Sequence, residues 1–403
     1  MSSSSDALET LNTLVSSTLT FTTQLEAVIA DIASKNRPDN DAQKQNGDGD
    51  GAPTTTATDS SSSALEPLSL AHDSATLIKA HATKISLFII NNPFTPTAIV
   101  KVIRELVAGP LPGLASAVQL CTAERYTQTI QRDLAWRIGR ILREFKELLT
   151  RIPTDGKILS DERKNASVGA AAGKGSLATT GVLWAACDDL VAFCNRGFAG
   201  NLVQKVEQFR DTLKDVMEEL KEWGEETADD DADEDDDDDG SDDDEVNQVA
   251  GSMASTHILS SHDQDQAMVD EFMNSEQFIP RDDPDRIRPR LESCLKRLRL
   301  VTLFYQATIK RRLKPLPRLP SSHDSTVPSR LDEIMSLLGN IPERFGNLAL
   351  AFYELEPTEI DRLMDQCFFD VFAGSELLVK PWSGDKDEFT DWALKFQVEI
   401  KKG

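Results

Sequence analysis

Histidine, cysteine and tyrosine are scarce in this chain of 403 residues, which has five, five and three of them. The five cysteines (Cys121, Cys187, Cys194, Cys294, Cys367) are odd in number and unevenly spaced, which excludes a disulfide framework and points to a reducing compartment. His72, His262 and His323 each precede an aspartate, but they lie in separate segments with no metal-ligand spacing, and His257 stands apart from all of them. No metal or other cofactor is expected. Long apolar runs are missing as well: ISLFII stops at Asn91 and Asn92, far short of the roughly 18 uninterrupted residues of a membrane span. The start, MSSSSDALETL, lacks the basic-then-apolar order of a signal peptide, so a soluble chain is expected. Few windows alternate with period two, which argues against strands.

Positive charge is also short, 43 Lys and Arg against 68 Asp and Glu, for a net charge of −25. Almost all of the excess sits in one place. Residues 224–284 hold 23 acids and a single Arg, a local charge of −22, whereas 1–223 carry 23 basic and 27 acidic side chains and 285–403 carry 19 and 18. Carboxylates about 3.4 Å apart on an extended chain lie inside the screening length of roughly 8 Å, so they repel and hold the segment open. Phosphate binding needs a net basic footprint, which excludes general nucleic-acid affinity.

What is abundant is helical periodicity. Apolar residues recur three and four apart at Leu11, Leu14, Phe21, Leu25, Val28 and Ile32, interrupted only by Thr18; at Leu134, Ile138, Ile141, Phe145, Leu148 and Ile152; and at Leu202, Val206, Phe209, Leu213, Val216, Leu220 and Trp223. A further stripe runs Leu331, Ile334, Leu338, Ile341, Phe345, Leu348, Phe352, Leu355, straight through Pro342, which predicts a kink that does not end the face. The fold class is all-α. Such stripes must dock on one another, which predicts two antiparallel bundles of about nine helices: 1–223 with a disordered loop near 36–63, then an acidic disordered linker over 224–284, then 285–403. The Gly/Ala/Lys stretch between Pro153 and Ser176 and KPLPRLPSSHDSTVP at 314–328 read as further unfolded connections.

The stretch GVLWAACDDLVAFC (181–194) places Leu183, Cys187, Leu190 and Cys194 on one helix face, so both thiols read as buried and inert rather than nucleophilic. Here Leu183-Trp184-Ala185-Ala186-Cys187 opens a long helix ending at Trp223, with a polyacidic linker and a second helical half behind it. That order resembles the cyclin-D-binding (cyclin-D-interacting) protein family, as motif over 181–245 and as architecture over most of the chain. The resemblance implies a two-bundle helical protein of nucleus and cytoplasm that binds D-type cyclins or helix-loop-helix type partners and restrains cell-cycle transcription. Family descriptions include leucine zippers, from which this chain departs: its stripes mix Val, Phe, Ile and Trp with Leu, favouring packing within the chain.

Enzymatic candidates are few. His81 lies on the stripe Ile78, His81, Ile85, Phe88 and reads as a core histidine; GAAAGKGS from Gly169 has one residue too few before Gly-Lys for a phosphate loop and no preceding strand. Binding candidates are stronger. Between Arg286 and Arg318 stand eleven Lys and Arg against Glu292 alone, with Ile287, Leu291, Cys294, Leu298, Val301 and Tyr305 as the buried face and Arg286, Arg290 and Arg297 as a cationic stripe. This patch is positioned to meet the −22 segment that precedes it. Lys310 to Lys314 reads as an import signal, and Lys314, Pro317 and Pro320 as a polyproline motif for SH3-type domains. Ser241, followed by Asp242, Asp243, Asp244 and Glu245, suits an acid-directed kinase. The sequence thus predicts a non-enzymatic protein-binding regulator with no direct nucleic-acid or membrane contact; the alternative is an acidic chaperone for histones or other basic proteins acting through 229–245.

Overall fold

The computed structural model describes residues 2–35, 66–165, 175–225, 278–319 and 326–402. The Ser-rich loop, residues 166–174 of the Gly/Ala/Lys stretch, Ser241 with the acidic run, and Pro320 lie outside them; the described part of that stretch, expected to be unfolded, carries one helical turn at Asp161–Asn165. The described residues are helical throughout, with no strand: α1 (Ser2–Lys35), α2 (Pro67–Ile90), α3 (Pro96–Ala108), α4 (Pro110–Leu120), α5 (Gln128–Thr150), the single turn α6 (Asp161–Asn165), α7 (Ser176–Glu225), α8 (Ile287–Thr308) continued by a π-helical turn (Ile309–Leu313), α9 (Val327–Tyr353), α10 (Pro357–Val379) and α11 (Glu388–Ile400). The all-α expectation therefore holds. Eleven segments stand where about nine were expected, partly because Gly109 and Pro110 end α3 and start α4, proline's fixed φ and missing N–H suiting the first helical position.

Compactness groups these helices into two units, 1–205 with 313–335, and 206–312 with 336–403. Both α7 and α9 therefore contribute to each unit. In the first, α1 packs on α3, α4 and α5, and α2 on α3 and α4. Gly113 permits the α2–α4 approach, since a Cβ there would stand 2.5 Å from the Ser74 hydroxyl. The α1 stripe is rotated from the expected one: Thr18 and Thr22 are buried with Leu11 and Ile29, while Val28 is exposed. Each threonine hydroxyl donates back to a carbonyl one turn earlier, Thr18 to Leu14 at 2.7 Å and Thr22 to Thr18 at 2.8 Å, which removes the penalty for burying it. Asp332 crowns α5, accepting from the backbone N–H groups of Gln128 (2.6 Å) and Thr129 (2.9 Å) and from the Thr129 hydroxyl (2.9 Å).

The expected unbroken helix from Leu183 to Trp223 is interrupted. Gly197 adopts φ 69°, ψ 179°, a conformation open to glycine and strained for other residues. Asn201 repairs the break by donating to the carbonyls of Phe193 and Gly197, both at 2.8 Å, and its own oxygen accepts from Arg196 at 2.9 Å.

In the second unit α8 packs against α10 and α11, and α10 against α11. The 206–225 part of α7 joins them, with Trp223 edge-on to Tyr353 (5.3 Å) and Arg288 donating to the Gly224 carbonyl (3.1 Å). Pro342 sits inside α9, where it has no N–H for the Leu338 carbonyl. The buried Tyr305 hydroxyl donates to that carbonyl instead, at 2.7 Å. Arg312, 1% exposed, is a second hub. It donates to the carbonyls of Leu378 (2.8 Å) and Val379 (3.1 Å) at the end of α10 and to both oxygens of Asp387, and its guanidinium lies 4.2 Å from the Phe389 ring centre. Asp387 in turn forms a capping box with Thr390 at the start of α11.

Candidate interaction surfaces

The expected chemistry of the thiols is carried through. All five cysteines are free and buried, and burial pushes each thiol up to about 12, so no thiolate is present near neutral pH. His81 is buried on α2 with Nδ1 3.7 Å from Glu105; burial, with Lys84 beside it, lowers its basicity against the opposing pull of Glu105. His72 pairs with neighbouring Asp73 at 3.0 Å. No cluster of three or more His, Cys, Asp or Glu among the described residues is arranged to hold a metal. In the first unit an open groove of about 510 Å³ between α1 and α3 is lined by Thr10, Val100, Lys101 and Arg104.

The cationic stripe on α8 is largely spent on the fold. Arg290 forms a fork with Asp361 (2.7 and 2.9 Å) and donates to the Asp285 carbonyl (2.6 Å), and this pairing holds the Asp361 carboxyl below its usual range. Arg297 donates to the Ile400 carbonyl at the end of α11 (3.1 Å) and stacks 3.6 Å above the centre of the Phe368 ring. Arg286 is exposed and left-handed (φ 53°), next to Asp283, whose carboxylate accepts from the N–H groups of Ile287 and Arg288. Arg286, Arg290 and Arg297 do line one groove of about 490 Å³, but Asp361 and Asp365 share it, so its charge is mixed.

Free positive charge lies one face further round. Lys296, Arg299 and Lys310 are exposed, and none has an ion-pair partner among the described residues. With Glu292, exposed Leu303 and Gln306 they form a single stripe opposite the buried set. The sequence signal was available: these positions are the complement of Ile287, Leu291, Cys294, Leu298, Val301 and Tyr305 on a helical wheel. Of the basic cluster 310–314, Arg312 and Leu313 are buried in the π-helical turn, which leaves Lys310, Arg311 and Lys314 outward. Lys314 and Pro317 are exposed in a non-helical segment; Pro320 completes that motif outside the described residues.

In the first unit the exposed apolar groups include Trp136 on α5 (58%) and Trp184 on α7 (37%). Arg137, beside Trp136, lies 3.3 Å from Asp189 and 4.5 Å from the Phe193 ring centre. Asp188, one turn beyond Trp184, takes Lys79 of α2 at 2.6 and 2.7 Å. The adjacent aspartates of the 181–194 stretch thus staple α7 to α2 and α5. One 18-residue window of α7 is long and apolar enough to cross a membrane, but Leu183, Cys187, Leu190 and Phe193 of α7 are buried within the first unit, and its Asp188 and Asp189 pair with Lys79 and Arg137.

Residues 71–226, which include both tryptophans and the Asp188 and Asp189 staples, match the family model described as Grap2 and cyclin-D-interacting, N-terminal. The resemblance seen in the 181–245 stretch is borne out over that range. An uncharacterized protein of Schizosaccharomyces pombe is 30% identical over 149 residues, which is 37% of this chain and 41% of that protein. The match thus spans less than half the length of either chain.

Proposed function

We propose that this chain, whose residues 71–226 carry a Grap2 and cyclin-D-interacting N-terminal domain, is a non-enzymatic regulator that binds a D-type cyclin or a helix-loop-helix type protein and restrains cell-cycle progression or transcription, in nucleus and cytoplasm. The observation that carries this reading is the family match itself. It is supported by two solvent-exposed tryptophans inside the matched range, Trp136 and Trp184, a residue type enriched at the centres of protein interfaces. Docking of a partner helix against these exposed helix faces fits an all-helical architecture.

The test is capture of a D-type cyclin by the full chain, at low and high salt, for wild type, Trp136→Ala and Trp184→Ala. A bundle-face complex survives salt and weakens by about tenfold or more when an anchoring tryptophan is removed. Failure of the folded full chain to retain the cyclin at any salt overturns the reading. A second reading rests on the −22 charge of 224–284, which favours an acidic chaperone for basic proteins. Its complex with histones would collapse on raising salt and on neutralising 229–245.

A further inference from the structure

We propose that the acidic run 229–245 of the same chain docks on the outer face of α8 formed by Lys296, Arg299, Leu303 and Lys310. This inference goes beyond the cyclin reading and stands apart from it. The face is net positive: three cations stand against one acid, Glu292, at its N-terminal end. Three exposed cations without partners among the described residues lie along one stripe, centred on a 52% exposed leucine. The other arginines of the helix are committed: Arg288 to carbonyls, Arg290 to Asp361, and Arg297 to Ile400 and Phe368. The net charge of this face favours an anionic occupant that tolerates a small apolar centre.

The candidate is tethered beside it. The described chain ends at Glu225 and resumes at Phe278, and Gly224 is pinned to α8, its carbonyl accepting from Arg288 at 3.1 Å with Leu291 packed against its Cα. From Leu291 to Lys310 is roughly 28 Å along the helix, at about 1.5 Å per residue. The chain from 226 to 245 reaches up to about 68 Å at roughly 3.4 Å per residue, so it covers the whole face with slack. Fourteen of the 17 residues in 229–245 are acidic, against three free cations. A tether this short raises the effective concentration to the order of millimolar, which favours this occupant over a free acidic partner. Docking leaves most carboxylates unneutralised, so a strongly basic partner displaces the run and uncovers the face.

A labelled synthetic peptide of residues 229–245 is the probe, read by fluorescence anisotropy against full-length chains. One chain is wild type; a second has every Asp and Glu of 229–245 changed to Asn or Gln. The neutralised chain is expected to bind the peptide, and wild type about tenfold or more weakly because its own run holds the face. Adding K296E, R299E and K310E to the neutralised chain should lower binding at least about tenfold, because three attractive surface pairs become repulsive. If circular dichroism shows that variant unfolded, K296Q, R299Q and K310Q replace it. Equal binding by wild-type and neutralised chains overturns the proposal, as does absence of binding by both or indifference to the α8 substitutions. Sedimentation that finds wild type dimeric, and the neutralised chain monomeric, assigns the face to a second copy's run and overturns docking within one chain.

Discussion

Tyr305→Phe removes one oxygen atom and tests how a proline is accommodated in the interior of α9. In a continuous helix the Leu338 carbonyl would accept from the N–H of residue 342, but that residue is proline. The Tyr305 hydroxyl takes the vacant role at 2.7 Å, and both Tyr305 and Leu338 are fully buried. Burial also raises the phenol well above its ordinary range, which favours its protonated, donating form. Without the hydroxyl the carbonyl is left in a dry environment with no partner, a loss of about 1–3 kcal/mol. The decisive measurement is a double-mutant cycle with Pro342→Ala in urea denaturation, followed by tryptophan fluorescence. Alanine restores an N–H at 342, so in that background Tyr305→Phe should cost about 1 kcal/mol less, a coupling within the range for residues that share a partner. Equal costs in the two backgrounds would refute the argument, because the hydroxyl would then be worth the same whether or not the helix supplies its own donor.

Arg312→Ala should destabilise the fold by about 3 kcal/mol, since it takes the side-chain donor from the Leu378 carbonyl, leaves Asp387 and the Val379 carbonyl to Thr390 alone and empties a buried site; Arg312→Lys should recover only part, lacking the planar fork. Arg312 holds the Asp387 carboxyl far below its usual range, so this contribution is complete above the unfolded carboxylate value near 4 and falls away as pH drops towards the folded value; Asp387→Asn should flatten the acid limb of a stability-against-pH curve. A bulky thiol reagent should modify none of the five cysteines rapidly in the native protein and all of them in denaturant; fast native labelling of Cys187 or Cys194 would show that the 181–194 face is not buried.

The apolar stripes were legible because burial enforces the 3.6-residue period, and the buried sets of α5 and α9 follow it closely. Breaks and caps were harder to read. Gly197 sits in a run that stays periodic on both sides, and the Asn201 side chain that repairs the break lies a turn away, so the pattern passes over it. Asp332 caps a helix some 200 positions earlier in the sequence, and Tyr305 serves a carbonyl on a different helix; neither pairing leaves a local trace. In the sequence Arg312 is one of three consecutive cations, and its burial depends on the ends of α10 and α11 meeting around it.

The same limit explains why counting cations misjudged α8. Eleven Lys and Arg between 286 and 318 suggest a broad positive patch, but the fold consumes four of the eight arginines among them. Arg288, Arg290, Arg297 and Arg312 carry forked donors that fit carbonyls at helix ends and paired carboxylates, and each is used that way. Lys296 and Lys310, compact charges on flexible stems, remain outward together with Arg299. The positive charge left unpaired on α8 is therefore narrower than composition implies, and much of the Arg286, Arg290 and Arg297 stripe is committed to the fold. Substituting that stripe would be felt mainly as lost stability, through Asp361 and Phe368, while substituting the outer stripe would be felt as lost electrostatic attraction. Thermal denaturation and salt-dependent binding, measured on both sets of variants, separate these two roles on one helix.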